Sequence, residues 1–411
     1  MTATPLPPLP PDAAVDGRLP DRGGVVFLNW RDTRNPEGGG SERFVERVAA
    51  GLAAQGRPVT IVCAAWPGAP REEHANGVRI LRRGGRLGVY LRAFVLYAAG
   101  RTGPHDVVVD VQNGLPFFSA LYARVPVVVL VHHVHREQWG VVLPPPLARF
   151  GWWVESRVAP RVYRGASYVA VSESTRQELV GLGVRAGSIA IVHNGTDPPA
   201  VASPPRTSHP SVCVLGRLVP HKRVELALEA AARIRGRLPG LKVWVAGQGW
   251  WEPRLRNEVA RLGLEDTVEL LGHVDEEAKH ALLARSWVLA MPSVKEGWGQ
   301  AVMEAAGHAT PTVAFRSAGG LAESVVNGRT GLLADDLDGF TGQLERVLSD
   351  HPLRERLGAA ARERVTGFTW PQATAAFAAV LDGVVAARAG TLGAAPVGAH
   401  ALGPLSGRRR R

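Results

Sequence analysis

Cysteine is almost missing from this chain: Cys63 and Cys213 are the only two among 411 residues. They lie far apart, each inside an apolar run, which excludes a disulfide framework and reads as two buried free thiols of a reducing compartment. Long hydrophobic runs are missing as well; none approaches the ~20 residues that a membrane-spanning helix needs. The opening MTATPLPPLPPDAAV has neither the basic start nor the apolar centre of a secretory signal, so a cytoplasmic protein is expected. No helix-turn-helix, zinc-finger or aromatic RNA-binding pattern is visible, which removes nucleic acid as an expected partner. No internal repeat recurs at solenoid periods.

What is present is a hydrophobic content of 45% and a length that suits two domains. Residues 1–22 are Pro-rich and expected to form a disordered arm. From Val25 onward, apolar runs alternate with helix-like segments. Strands are expected at Val25–Trp30, Val59–Ala64, Asp106–Val111, Val125–His132, Tyr168–Ser172 and Ile189–His193. A helix is expected at Ser41–Gln55, with Phe44, Val45, Val48 and Leu52 on one face. Near-continuous Val/Ile/Leu strands between helices predict a parallel sheet covered on both sides. Residues 198–206 are Pro-rich and non-periodic, which suits a linker. A second alternating set then runs through Val212–Leu215, Lys242–Ala246, Val268–Leu271, Trp287–Met291 and Thr312–Phe315. The fold class is therefore α/β, with two Rossmann-like domains at 23–197 and 207–368 facing a central cleft. An amphipathic helix is expected at 369–385, and a disordered basic tail at 386–411, ending in Arg408–Arg411.

The net charge of +11 is unevenly placed. Arg82, Arg83, Arg86, Arg92 and Arg101 surround the apolar stretch Leu87–Ala99. Such a stretch suits contact with an anionic membrane surface; the other reading is an ordinary helix with one buried face and arginines at its ends.

In open α/β sheets, ligands bind beyond the carboxyl ends of the strands, and the unusual residues gather there. Gly38-Gly39-Gly40-Ser41 opens the first helix, where glycines let a ligand approach the backbone or simply make a tight turn. His132, His133 and His135 follow one strand. Gly216-Arg217 and Lys222 follow another, and an Arg fork with a Lys point charge suits a diphosphate, or else a solvated helix start. Gly247-Gln248-Gly249 follows the next strand. Lys295-Glu296-Gly297-Trp298-Gly299-Gln300 reads as strand, Gly-rich loop and helix start, which presents free backbone N–H groups. Glu296 and Glu304, eight positions apart, add two carboxylates. Amide donors beside two acids suit a ligand that is anionic at one end and polyhydroxylated at the other, as a nucleotide sugar is. A metal site on the histidines is not expected: neighbouring side chains at a strand end point opposite ways, and no cysteine partner sits nearby. A glycosidase pair made of Glu296 and Glu304 leaves Arg217 and Lys222 unexplained.

With these motifs the chain, from about Val25 to Val385, resembles glycosyltransferase family 4, retaining enzymes of the GT-B fold. Gly39-Gly40-Ser41-Glu42 resembles the family's glycine loop. Val171-Ser172-Glu173-Ser174 and Val192-His193-Asn194-Gly195-Thr196-Asp197 resemble its stretches ahead of the linker. Gly216-Arg217 with Lys222, the Glu296–Glu304 spacing, Gly319-Gly320-x-x-Glu323 and Gly328-x-Thr330-Gly331 complete the pattern. The resemblance implies that Arg217 and Lys222 stabilise the departing nucleoside diphosphate. It implies that Glu296 holds donor-sugar hydroxyls, aided by amides near Gly297, Trp298, Gly299 and Gln300, and that Glu304 accepts from the ribose. His132 aligns with the family histidine near the transferred sugar, with His133 as the other register. Trp298 stands where the family often has Phe, and the 369–385 helix would return to the first domain. The implied partners are a nucleotide diphosphate sugar and a hydroxyl acceptor, lipid-linked or not, at a loop containing Gly39, Gly40, Ser41 and His133; no cofactor and no metal is implied. Two rival readings stay open: a non-catalytic nucleotide-sugar-binding protein of the same fold, and a phosphorylase of the same architecture.

Overall fold

A computed structural model describes residues 23–198 and 204–389; the expectations placed on 1–22, on most of the linker and on 390–411 lie outside the described residues. The first half is an eight-stranded sheet of β1 (Val25–Leu28), β2 (Val59–Cys63), β3 (Glu72–Ala75), β4 (Val78–Arg82), β5 (Val107–Gln112), β6 (Val127–Val131), β7 (Ser167–Ala170) and β8 (Ile189–Ile191). Their order across the sheet is β3-β4-β2-β1-β5-β6-β7-β8. All pairs are parallel except β3–β4. Between the strands run α1 (Gly40–Ala54), α2 (Gly88–Ala98), α3 (Arg136–Val142), α4 (Pro145–Trp153), α5 (Ala159–Val162) and α6 (Glu173–Gly181).

The second half is a six-stranded, all-parallel sheet of β9 (Ser211–Leu215), β10 (Lys242–Ala246), β11 (Val268–Gly272), β12 (Val288–Met291), β13 (Thr312–Phe315) and β14 (Gly331–Ala334). The order is β11-β10-β9-β12-β13-β14. Its helices are α7 (Val224–Ile234), α8 (Glu252–Arg261), α9 (Glu276–Arg285), α10 (Gln300–Gly307), α11 (Leu321–Ser324), α12 (Leu337–Ser349) and α13 (His351–Val365). Parallel strands buried on both faces lose the polar alternation of a half-exposed strand, which is why runs such as Val127–Val131 announce themselves. The edge hairpin β3–β4 does not: Glu72, Glu73 and His74 hide β3 from any apolar pattern, and β3, β4 and β14 were not among the expected strands.

The first sheet carries one helical layer on each face. Phe44, Val45 and Val48 of α1 pack with Val25, Phe27, Val109 and Val128. The final helix, α14 (Trp370–Arg388), crosses from the second half onto this layer, its Phe377 ring 5.9 Å from Phe27 and 6.1 Å from Phe44. Thr369 caps it by accepting from the Gln372 N–H, a cap typically worth ~1 kcal/mol. Residues 386–388 thus continue this helix and do not begin the expected tail. On the opposite face, α2 covers Val26 and Val108, and α5 with Trp152 covers Val129 and Val131. Arg82 is not part of a solvent-facing basic rim: it is fully buried and bonded to Asp32 at 2.6 Å and Glu73 at 2.8 Å. Its charge is held inside by these two carboxylates. Cys63 and Cys213 are both buried and free.

Candidate active site

The second half supplies Arg217, Lys222 and Glu296 to the cleft. Past β9, the backbone turns at Gly216 and enters a tight 3-10 turn, Pro220–Lys222. Lys222 Nζ pairs with Glu296 Oε1, which also accepts from Ser293 Oγ at 2.7 Å. Burial pushes the Glu296 carboxyl up, but the Lys222 charge and these hydrogen bonds outweigh it and hold the group below its usual range. Arg217 is exposed, and no carboxylate among the described residues forms an ion pair with it.

The Glu296 loop is fixed by its neighbours. The Glu296 N–H donates to Ala318 O at 3.1 Å, and the Gly320 N–H donates to Glu296 O at 2.9 Å. Among the described residues, the N–H groups of Gly297, Trp298, Gly299 and Gln300 donate to nothing. This is the array of orphan donors at the start of α10 that the sequence leads one to expect. Gly299 turns into α10 with φ of 86°, a left-handed conformation that favours glycine. Gly297 is required for a different reason: a Cβ there would lie 2.3 Å from the carbonyl oxygen of His132, on the opposite wall.

Two side chains in this loop face away from the cleft. The Trp298 indole is 3% exposed and stacks on His193 at 4.3 Å, with Phe368 at 5.1 Å. Gln300 Nε2 donates to Gly195 O at 3.1 Å, and its Oε1 accepts from Asn194 at 3.3 Å. Only the backbone of these two residues is presented to a ligand; their side chains hold the two halves together.

Glu304 lies on α10 and is 6% exposed. Its Oε1 accepts from Lys279 Nζ at 2.9 Å and from Arg43 Nη1 at 3.2 Å. Arg43 belongs to α1 in the other half. Its guanidinium also bonds Glu276 at 3.1 Å and Asp197 at 2.7 Å, and Arg47 reaches the same Asp197 at 2.9 Å. Burial works against the Arg43 charge, but Glu304, Glu276 and Asp197 together raise its pKa above the ordinary value. Arg43, Arg47, Glu276 and Lys279 were not singled out in the sequence. The signal was there in part: Arg43 and Arg47 are one helical turn apart, on a helix whose other face is apolar.

Beside these ions the first half presents two neutral histidines. His132 is 5% exposed, lies edge-on to Phe44 at 5.4 Å and leaves its Nε2 buried with no hydrogen-bond partner. Burial lowers its pKa to about 4, so it is neutral near pH 7. His133 Nε2 meets Gln138 at 3.0 Å, and burial, then His135, keeps it neutral too. Folding brings these histidines an acid from further along the chain: His135 Nδ1 lies 3.1 Å from Glu155, which also accepts from Trp139 at 2.6 Å. Among the described residues no group of three or more His, Cys, Asp or Glu could hold a metal ion. An Asp336-Leu337-Asp338 spacing is a helix start: Asp336 accepts from Gly339 N–H at 2.8 Å, and Asp338 pairs with Arg233.

Gly39 and Gly40 open α1 toward the second half. A Cβ on Gly39 would lie 3.9 Å from Arg217 Nε, and one on Gly40 3.8 Å from Gln300. The Gly39 N–H and the Ser41 hydroxyl both donate to Glu42 Oε2 at 2.8 Å. The helix N-terminus and Arg217 therefore converge, and both favour an anion.

Two parallel-sheet halves with loops meeting across a cleft define the GT-B architecture. Sucrose-phosphate synthase from Thermosynechococcus elongatus superposes with a TM-score of 0.76 at 22% identity, over 89% of this chain and all of that one. Anabaena HepE in complex with UDP-glucose superposes with a TM-score of 0.70 at 17% identity, over 88% of this chain and all of that one. The chain belongs to glycosyltransferase family 4: residues 38–199 match the model Glycosyltransferase Family 4, and residues 201–364 match Glycosyl transferases group 1. Among curated relatives, a glycogen synthase of Mycobacterium tuberculosis is 31% identical over 268 residues; that match takes in 64% of this chain and only 64% of the relative's own length. A D-inositol 3-phosphate glycosyltransferase of Streptomyces scabiei is 28% identical over 88% of this chain and 91% of its own.

Proposed function

We propose that this protein is a retaining glycosyltransferase that moves a hexose-type sugar from a nucleoside diphosphate sugar to a hydroxyl acceptor, without a metal. The observation that carries this reading is the Lys222–Glu296 pair, set beside four unpaired backbone N–H groups and an unpaired Arg217. Breaking a sugar–phosphate bond places negative charge on the diphosphate and positive charge at the anomeric carbon. Arg217 and Lys222 answer the first, fixed in place before reaction, so they act on the transition state more than on the ground state. Glu296 receives the sugar hydroxyls beside Lys222, and Glu304 receives the ribose. Neutral His132, with Nε2 free, is suited to accept from or donate to a sugar hydroxyl; it carries no charge that would oppose an oxocarbenium-like centre. The relatives include sugar transferases and a neighbour bound to UDP-glucose, which supports the donor class. Buried free thiols support a cytoplasmic setting, and the acceptor is placed on the first-half wall, near Gly39, Ser41 and His133.

The test is a thermal-shift and donor-hydrolysis panel of UDP, GDP and ADP sugars, run with and without EDTA. A donor at a hundred times its Kd should stabilise by about 2.7 kcal/mol. Retained turnover in EDTA supports metal independence. Binding without any turnover would favour a non-catalytic protein, and phosphate-dependent cleavage would favour a phosphorylase.

A further inference from the structure

Nine of the eleven exposed large apolar side chains among the described residues fall between Leu87 and Trp153. Six of these nine sit on two helices, Leu91, Phe94 and Val95 on α2 and Leu147, Phe150 and Trp153 on α4, and the sheet register aligns those helices. Val26 pairs with Val108, and Val108 with Val127. The core beneath α2 contains Val26 and Val108, the core beneath α5 and Trp152 contains Val129 and Val131, and Val127 packs against both. The two cores therefore share one face of the sheet, opposite α1 and α14. α2 turns Val89, Ala93 and Leu96 inward, so Leu91, Phe94 and Val95 face solvent. α4 buries Ala148 and Gly151, so Leu147, Phe150 and Trp153 do the same.

The surroundings of this face are of one sign. Between residues 83 and 165 the sequence has ten arginines, no lysine and four acids. Two of the acids, Asp110 and Glu155, are buried. Arg86, Arg92, Arg149 and Arg157 are exposed around the apolar ridges.

We propose that α2 and α4 together form a docking face for an anionic bilayer. Exposed Leu, Phe and Trp enter the headgroup boundary, while arginine stems lie along the apolar surface and their guanidinium groups reach lipid phosphates. A second copy of the chain fits this face less well, because it would set one arginine rim against another. The face is continuous with the cleft: Trp139 of α3 packs on Gly151 of α4 and bonds Glu155, which holds His135 three residues beyond His132. What the membrane supplies rests on the transfer reading: an acceptor hydroxyl carried on a lipid. The docking itself does not rest on it.

Flotation of the full chain with phosphatidylglycerol/phosphatidylcholine vesicles, against phosphatidylcholine alone, tests the docking. Binding should require the anionic lipid and weaken with salt. The pairs Leu91→Glu with Phe94→Glu, and Phe150→Ser with Trp153→Ser, should each abolish flotation, and Arg86→Ser with Arg92→Ser should weaken it about tenfold. All three variants should keep wild-type thermal stability and donor hydrolysis, which separates this test from that of the transfer reaction. No flotation by the wild-type chain, or flotation unchanged in every variant, overturns the proposal. So does concentration-dependent dimerisation that the same substitutions abolish, which would make the face a protein interface.

Discussion

The two walls of the cleft are built on the same plan and charged differently. The second-half wall holds Arg217, Lys222 and Glu296 on short loops past a strand, and Glu304 within α10. The first-half wall holds neutral His132 and His133, the glycines that open α1, and a layer of apolar helices behind them. In the proposed transfer reaction the difference would divide the labour: the fixed ions would grip a charged donor, and the neutral histidines would receive an uncharged hydroxyl. Each wall also needs the other. Gly297 lies against His132 O, Trp298 stacks in the first half's core, and Arg43 reaches across to Glu304.

The sharpest way to break the comparison is to uncharge the second wall. Lys222→Ala and Glu296→Gln should each lower transfer by about a thousandfold, the scale of losing one preorganised electrostatic contact. Circular dichroism should be unchanged. Near-normal turnover in both variants would mean that the ions do not serve the donor.

Arg43→Met tests whether the first wall helps to set the second. Glu304, Glu276 and Asp197 would lose their shared cation, and breaking a largely buried ion pair costs about 3 kcal/mol. Lys279 still holds Glu304, so the expected signature is a lower Tm with donor KM raised about tenfold and kcat changed less. An unchanged KM would leave Arg43 as a purely structural strut.

Gly297→Ala probes the approach of the walls themselves. The added methyl would meet His132 O at 2.3 Å, and forcing such a contact costs about 1–3 kcal/mol. Unfolding by urea should show that loss. Gly236→Ala, in open space, is the control and should show none.

The walls also differed in how much of them the sequence disclosed. The second wall's charged loops were legible as a group because their residues cluster within short stretches: Gly216 to Lys222, and Glu296 to Glu304. The strand runs that place those loops are buried on both faces and read directly as apolar runs. What stayed hidden depends on long-range pairing. Arg82 looked like a surface cation until β4 brought it to Asp32, 50 residues away in sequence. The Arg43–Glu304 contact spans 261 positions, and nothing in either local pattern announces the other. Trp298 and Gln300 were legible as loop residues, but whether their side chains face ligand or core is decided by His193, Phe368 and Asn194, which arrive from elsewhere.

Acid sharpens the comparison with the smallest effect, because His132 and Glu296 should fail in different windows. His132 titrates near 4 in the folded chain against an ordinary 6.5. Above 6.5 neither folded nor unfolded chain is protonated there, and pH does not matter. As pH falls from 6.5 toward 4, the unfolded chain takes up a proton that the folded one refuses, so stability declines by up to about 1.4 kcal/mol per pH unit per such histidine. His221, on the second wall, is lowered to about 4 as well and adds to the same window. Glu296 behaves oppositely in range: held low by Lys222, its contribution is intact above 4.5 and is lost only as pH falls through its lowered value. Urea unfolding at pH 7, 6, 5 and 4 should therefore show a decline that starts below 6.5, shallower in His132→Asn and unaltered in Glu296→Gln until pH nears 4. A decline of equal slope in wild type and His132→Asn would mean that the first wall is not kept neutral by burial.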